Sequence, residues 1–438
     1  MISGNNSLSI INGRVIDPAS GVDQQWDVHI SDGCILSLGT RPPDHHPHRV
    51  IDARGQIVCP GLVDLRARMC EPGLEHKATI ASESHAAASG GITTLCTPPD
   101  TMPPVDTPAV AEMIRHRASE IGLVRVHPLG ALTAGLGGEH LSEMAALKNA
   151  GCTGTGNACR PMANTLVQRR AMEYAATFGL TVHLNPEDPF LGELGCAHEG
   201  TVSTRLGLPG IPEAAETVAV ARDLALAAQT GARVHFCGLS TGTAVRMIAR
   251  AREDGLKVSA DVCAHQLHLT EMDLDGFDSR CHVRPPLRTL ADRDALRRGV
   301  ADGTIVAVCS DHQPHDAEAK TAPFPATAAG ISALETLLPL TLRLVGEGVL
   351  DMVQAIDRLT AAPAAILQLD SGTLQPGRPA DICVFDPSRH WRLTPDIMVS
   401  RGRNTPFTDW EFTGLVTHTL LDGKLVYTAP NTAPDETG

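Results

Sequence analysis

The side chains best placed to do chemistry stand at the ends of short apolar runs. Ile57-Val58-Cys59 leads through Pro60-Gly61 into Leu62-Val63, and the chain then turns polar at Asp64, Arg66 and Arg68. Val182-His183-Leu184 leads to Asn185, Glu187 and Asp188, and His235 leads to Cys237, Gly238, Ser240 and Thr241. Asn157, Ala158 and Cys159 follow Gly154-Thr155-Gly156, Arg284 and Arg288 lie in the segment 282–288, and Asp311, His312 and His315 follow the apolar run at 304–309. A buried strand that ends in this way delivers its side chains to the mouth of a pocket. Imidazoles and carboxylates there can ligate a metal or move protons. A guanidinium does neither, because it stays charged and has no lone pair to donate. Arg66 and Arg68 follow an apolar strand directly, so a simple surface role does not fit them. They are expected to pair with Asp311, and also with Glu187 or Asp188, because an unpaired buried charge is costly.

Other readings are plainer. Ser240-Thr241 lacks the Gly-x-Ser-x-Gly elbow of a nucleophile and reads as a helix cap. His265, His268, His282, His312 and His315 form no HxxxH or HExxH pattern and read as ordinary residues of the mouth. By alternation His235 should face away from the site into packing, and His183 reads as a hydrogen-bonded core histidine.

The elements that must position these residues alternate along the middle of the chain. Eight apolar runs, at 57–65, 92–96, 124–130, 152–155, 180–184, 232–237, 257–263 and 304–309, are separated by helical stretches. Asn164 and Ser240 are expected to cap two of these helices. This α/β pattern matches a (β/α)8 TIM barrel over 56–370. No Gly-rich fingerprint follows the first strand, which argues against a dinucleotide-binding sheet. Residues 1–55 and 371–438 alternate in the manner of short strands with Asp-Gly and Asp-Pro turns, and are expected to build one small β-sandwich domain from both termini. Residues 429–438 read as a mobile polar tail.

Composition narrows the function classes. The net charge of −14 argues against nucleic acid or an anionic membrane as partner. No run approaches the roughly 20 apolar residues of a membrane span, and Met1–Asn6 lacks a signal-peptide pattern. Twelve scattered cysteines without a CxxC pair are expected to be reduced and buried, in a cytoplasmic protein.

Several segments together resemble the dihydroorotases of the amidohydrolase superfamily over nearly the whole chain. They are Pro60-Gly61-Leu62-Val63-Asp64, Glu71-Pro72-Gly73, Gly90-Gly91, Gly207-Leu208-Pro209-Gly210-Ile211-Pro212 with Glu216, Ser310-Asp311-His312, Pro314-His315, Leu334–Leu340 and Gly402-Arg403-Asn404-Thr405-Pro406-Phe407. The resemblance implies a barrel in which one or two zinc ions activate water to open or close a dihydroorotate ring. It also implies metal ligands where this chain has Arg66, Arg68, Asn157 with Ala158, and Gly238; only His183 and Asp311 match. Positions that would grip substrate carry Cys70, Asp100 and Arg284, with His315 retained. The charge of Asp100 would repel an anionic substrate.

Zinc needs several converging neutral or anionic donors, so the expectation is a site without metal and without catalysis. In this family inert members occur as partners of aspartate carbamoyltransferase, which implies an oligomer within a hetero-oligomer. The rival reading is an active dihydroorotase or a hydantoinase- or allantoinase-like cyclic amidohydrolase with a rearranged single metal. A third is an anion-binding pocket built from Arg66, Arg68 and Arg284.

Overall fold

The computed structural model describes residues 7–430 and the backbone of residues 436–437. In it, the apolar run at 57–65 divides at Gly61. Ile57–Pro60 pairs with Ile382–Arg392 and with Ser7–Asp17, outside the barrel. Only Leu62–Asp64 enters the barrel, as β1. The single strand expected at 57–65 is thus two strands in different sheets. Gly61 permits the crossing, since a Cβ there would lie 2.1 Å from Thr93 Oγ1.

Seven further parallel strands follow: β2 (Ile92–Thr97), β3 (Arg125–Pro128), β4 (Gly154–Gly156), β5 (Thr181–Leu184), β6 (Val234–Phe236), β7 (Val258–Cys263) and β8 (Ala307–Cys309). Gly130–Ala131 continues β3 and pairs with β4. The ring closes where Ala67 bridges His312 and where Ser310 donates its N–H to Asp64 Oδ1 at 2.9 Å. The Ser310 hydroxyl also bonds that carboxylate. Burial pushes the Asp64 carboxyl up to about 6 against these bonds. Helices cover the outside, and their ends follow the expected chemistry. Asn164 accepts from the N–H groups of Leu166 and Val167 and caps Thr165–Thr177. The helix Gly242–Glu253 is capped by Thr241, not by Ser240.

The terminal strands join one nine-stranded sheet that branches at Ser7–Asp17, which pairs with Val22–Ser31, Arg49–Asp52 and Ile57–Pro60. This β-rich part has its own core, including Ile10, Val28, Ile51, Ile382 and Leu420, separate from the main core between barrel and helices. Arg125, at the start of β3, ties the parts together through ion pairs to Asp381 and Asp422. Residues 1–6 and most of the expected polar tail lie outside the described residues; Glu436 and Thr437 pair with Val50 and Arg49. Among the described residues no helix is long and apolar enough to cross a membrane. Every cysteine is free, and all but Cys34 and Cys159 are buried.

Candidate functional site

Loops leaving the C-terminal ends of β1 and β8 bring two cations onto one carboxylate. Arg66 Nε lies 2.9 Å from Asp311 Oδ1, and Arg68 Nη1 lies 3.3 Å from the same oxygen. The Arg66 Nε–H is not aligned for a hydrogen bond, so charge holds that contact. Its other nitrogens are directed: Nη2 donates to Cys263 Sγ at 3.1 Å, and Nη1 to the Asn185 side-chain oxygen at 2.5 Å when that amide faces it. Burial opposes the Arg66 charge, but Asp311, the Cys263 and Cys309 sulfurs and Asp261 outweigh it and hold the guanidinium protonated. Arg68 is kept charged in the same way, with Asp100 the strongest support. Arg68 Nε donates to Asp100 Oδ2 at 2.9 Å and Nη2 to Cys159 Sγ at 3.4 Å. Asp100 therefore neutralises an arginine and is not a free charge facing substrate.

Gly238 completes this arrangement. Its φ is +64°, and a Cβ would lie 2.5 Å from Arg66 Nη2. The Arg66 guanidinium fills the space that a side chain at 238 would need. Glu187 and Asp188 do not join the cluster. Glu187 forms a two-pronged pair with Arg284, and Asp188 Oδ1 accepts from the N–H groups of Phe190 and Leu191. A narrow cavity of only about 20 Å³ lies between these loops, lined by Cys159, Asn185, Glu187, Cys237, Gly238 and Arg284 among others. Arg66, Arg68 and Arg284 each already face a carboxylate, which weighs against the alternative of a three-arginine anion pocket.

The β5–β7 side is different. His183 and His235 are in register on adjacent parallel strands and point into the barrel, their ring centroids 5.2 Å apart. The expectation that His235 faces away is overturned. β6 ends at Phe236 and the chain turns left-handed at Gly238, so alternation counted back from 238 fails. Nε2 of His235 bonds Asp261 Oδ2 at 2.9 Å and Nδ1 bonds Ser259 Oγ at 2.8 Å. Despite burial, the His235 bond and the Arg66 charge keep Asp261 below the usual carboxylate range. His183 Nδ1 is 4.0 Å from Cys237 Sγ, while its Nε2 has no hydrogen-bond partner among the described residues. Burial, then neighbouring His235, lowers His183 to about 3, so it is a neutral donor at ordinary pH. Ligand atoms of His183, His235 and Cys237 all lie within 4.8 Å of one another.

The remaining expected positions serve the fold. Asn157 accepts from Thr133 Oγ1 at 2.8 Å and donates to the carbonyls of Leu136 and Arg160. His315 Nε2 bonds the Ala329 carbonyl at 2.9 Å; burial, against that bond, lowers the ring to about 4. Cys70 is a buried thiol pushed up to about 12, first by burial and then by Glu83. Ser240 and Thr241 hydroxyls both bond the Glu216 carboxylate, which removes the nucleophile reading. Cys70, Ala158 and Asp311 keep left-handed backbones, at φ of 60°, 50° and 48°. Such strain costs of order 1–3 kcal/mol per residue and gathers at functional sites. Asp261 and Cys263 escaped the sequence reading. The spacing of Ser259, Asp261 and Cys263 at every second residue of an apolar strand was the available signal.

The donor set does not fit the zinc site that the resemblance implies. At the mouth, Asp311 is bound to two guanidiniums, and Gly238 offers neither a ligand nor room for one.

Comparison with known proteins agrees with this fold. The chain is 48% identical over 421 residues to a dihydroorotase-like protein of Pseudomonas aeruginosa, covering 96% of this chain and 99% of the relative. It is a dihydroorotase-like member of the amidohydrolase family. The Dihydro-orotase-like family matches residues 55–244 and the Amidohydrolase family residues 197–427. A dihydroorotase of Syntrophotalea carbinolica is 44% identical over 420 residues, covering 96% of this chain and 99% of the relative. Among solved structures, an L-hydantoinase from Arthrobacter aurescens superposes with a TM-score of 0.86 at 22% identity, covering 95% of each chain. A dihydropyrimidinase from Brevibacillus agri gives 0.81 at 23%, covering 96% of this chain and 94% of that one. These likenesses establish the TIM-barrel amidohydrolase fold with its β-rich domain.

Proposed function

We propose that this chain is a non-catalytic, metal-free dihydroorotase-like subunit that supports assembly of aspartate carbamoyltransferase in pyrimidine synthesis. In this reading it works in the cytoplasm as an oligomer within a hetero-oligomer. The observation that carries the loss of catalysis is the Asp311 carboxylate clasped by Arg66 and Arg68. A guanidinium in contact with a ligand oxygen supplies the positive charge a metal would have supplied, and it cannot activate water. The assembly role follows from the family resemblance, in which inert members partner the transferase. The test is twofold. The purified chain should show no dihydroorotate turnover with added zinc, and it should co-migrate with the transferase catalytic chain on size exclusion. Absence of a complex would count against the assembly role, and turnover against the loss of catalysis.

The second reading is an active cyclic amidohydrolase with a rearranged single metal. It is favoured by the approach of His183, His235 and Cys237, two imidazoles and a thiol of the kind that bind zinc. Both His235 nitrogens are engaged by Ser259 and Asp261, which weighs against it. Stoichiometric zinc, with turnover of a dihydroorotate or hydantoin ring abolished by His183→Ala, would decide for this reading.

A further inference from the structure

The segment that follows β5 carries Phe190, Leu191 and Leu194, which are 75%, 44% and 85% exposed. A single exposed leucine needs no explanation, but three large apolar side chains within five residues of a barrel-mouth loop do. The loop is also pinned. Glu187 takes both prongs of Arg284, whose Nη2 donates in addition to the Gly192 carbonyl at 2.9 Å. Asp188 Oδ1 accepts from the N–H groups of Phe190 and Leu191 at 3.0 Å each, and Asp188 N–H donates to the Ala215 carbonyl at 2.7 Å. A preordered loop loses little conformational freedom on docking, so its apolar area converts more fully into affinity.

We propose that Phe190, Leu191 and Leu194 form the docking surface for a different protein whose apolar pocket is rimmed by lysine and arginine. Charge identifies this occupant. Apart from Glu187, which Arg284 neutralises, residues 186–199 contain Asp188, Glu193 and Glu199 and no lysine or arginine. Two copies of the chain, each with a net charge of −14, would set like charges around the apolar contact if they met through this face. A basic-rimmed partner gains both the apolar burial and the charge match. Arg284 then serves as a positioning residue for the docking loop. Taking the transferase catalytic chain as that partner rests on the function proposed above.

The test titrates the full chain against the transferase catalytic chain, using wild type, the double variant F190S/L194S and the control L36S, a half-exposed leucine of the terminal sheet. Both substitutions of the double variant are at the surface, and its Tm should stay at the wild-type value. Truncating two anchors that docking would bury should weaken the complex by about 30-fold or more, with L36S unchanged. E193K should slow association and reduce its dependence on salt. A complex that F190S/L194S forms within threefold of wild-type affinity overturns the docking surface and leaves the assembly role standing. No complex with the wild-type chain overturns both. If F190S/L194S instead changes the self-association of the chain alone, the occupant is a second copy and the proposed partner is wrong.

Discussion

The two sides of the barrel mouth contrast sharply. On the β1–β8 side the charges are locked: buried Arg66 and Asp311 and partly exposed Arg68 and Asp100 form one cluster of two cations and two anions. On the β5–β7 side the imidazoles and thiol remain, with His183 neutral and partly unpartnered. Charges buried in low dielectric must be matched by opposite charges nearby, so the first side cannot change one residue at a time. Neutral donors carry no such constraint, and the second side keeps an arrangement that could still serve a metal. Gly238 joins the two, because the space a β6-side residue would fill holds a β1-side guanidinium.

Four measurements would break or sharpen this contrast. The largest effect should come from Arg66→Met, which leaves Asp311 with Arg68 alone and should lower the unfolding free energy by about 3–4 kcal/mol in urea. Arg66→Met with Asp311→Asn should recover at least half of that loss. A single variant within about 1 kcal/mol of wild type would show that the cluster is not charge-locked.

Next comes acid. His183 titrates at about 3 in the folded chain and near 6.5 when unfolded, so the unfolded chain binds more protons in that window. Stability from this group is present above 6.5 and is lost as pH falls. Between pH 6.5 and 4.5 that is about 2.5 kcal/mol, and His183→Gln should remove this part of the slope. An unchanged slope in the variant would mean that His183 is not held neutral by burial.

Gly238→Ala should cost about 2 kcal/mol, from its left-handed backbone together with crowding of Arg66. In an Arg66→Ala background only the backbone cost of roughly 1 kcal/mol should remain. Equal costs in the two backgrounds would separate Gly238 from Arg66. The smallest effect concerns metal: zinc and chelator should leave the Tm unchanged, in wild type and in Cys237→Ser alike. A rise in Tm with zinc that Cys237→Ser abolishes would restore a metal to the β5–β7 side.

The sequence by itself determined the eight barrel strands, because buried parallel strands read as apolar runs and their polar ends as a mouth. It also determined that Arg66 and Arg68 lie at that mouth and, through Asp311, that a carboxylate answers them. Only the tertiary structure decided which carboxylate meets which arginine. Asp100 goes to Arg68 and Glu187 to Arg284, across 32 and 97 residues of chain. Likewise the crossing at Gly61 and the inward face of His235 depend on where a strand stops and on the register of its neighbours. Periodicity is a property of a few consecutive residues, whereas barrel register is set by the closure of all eight strands.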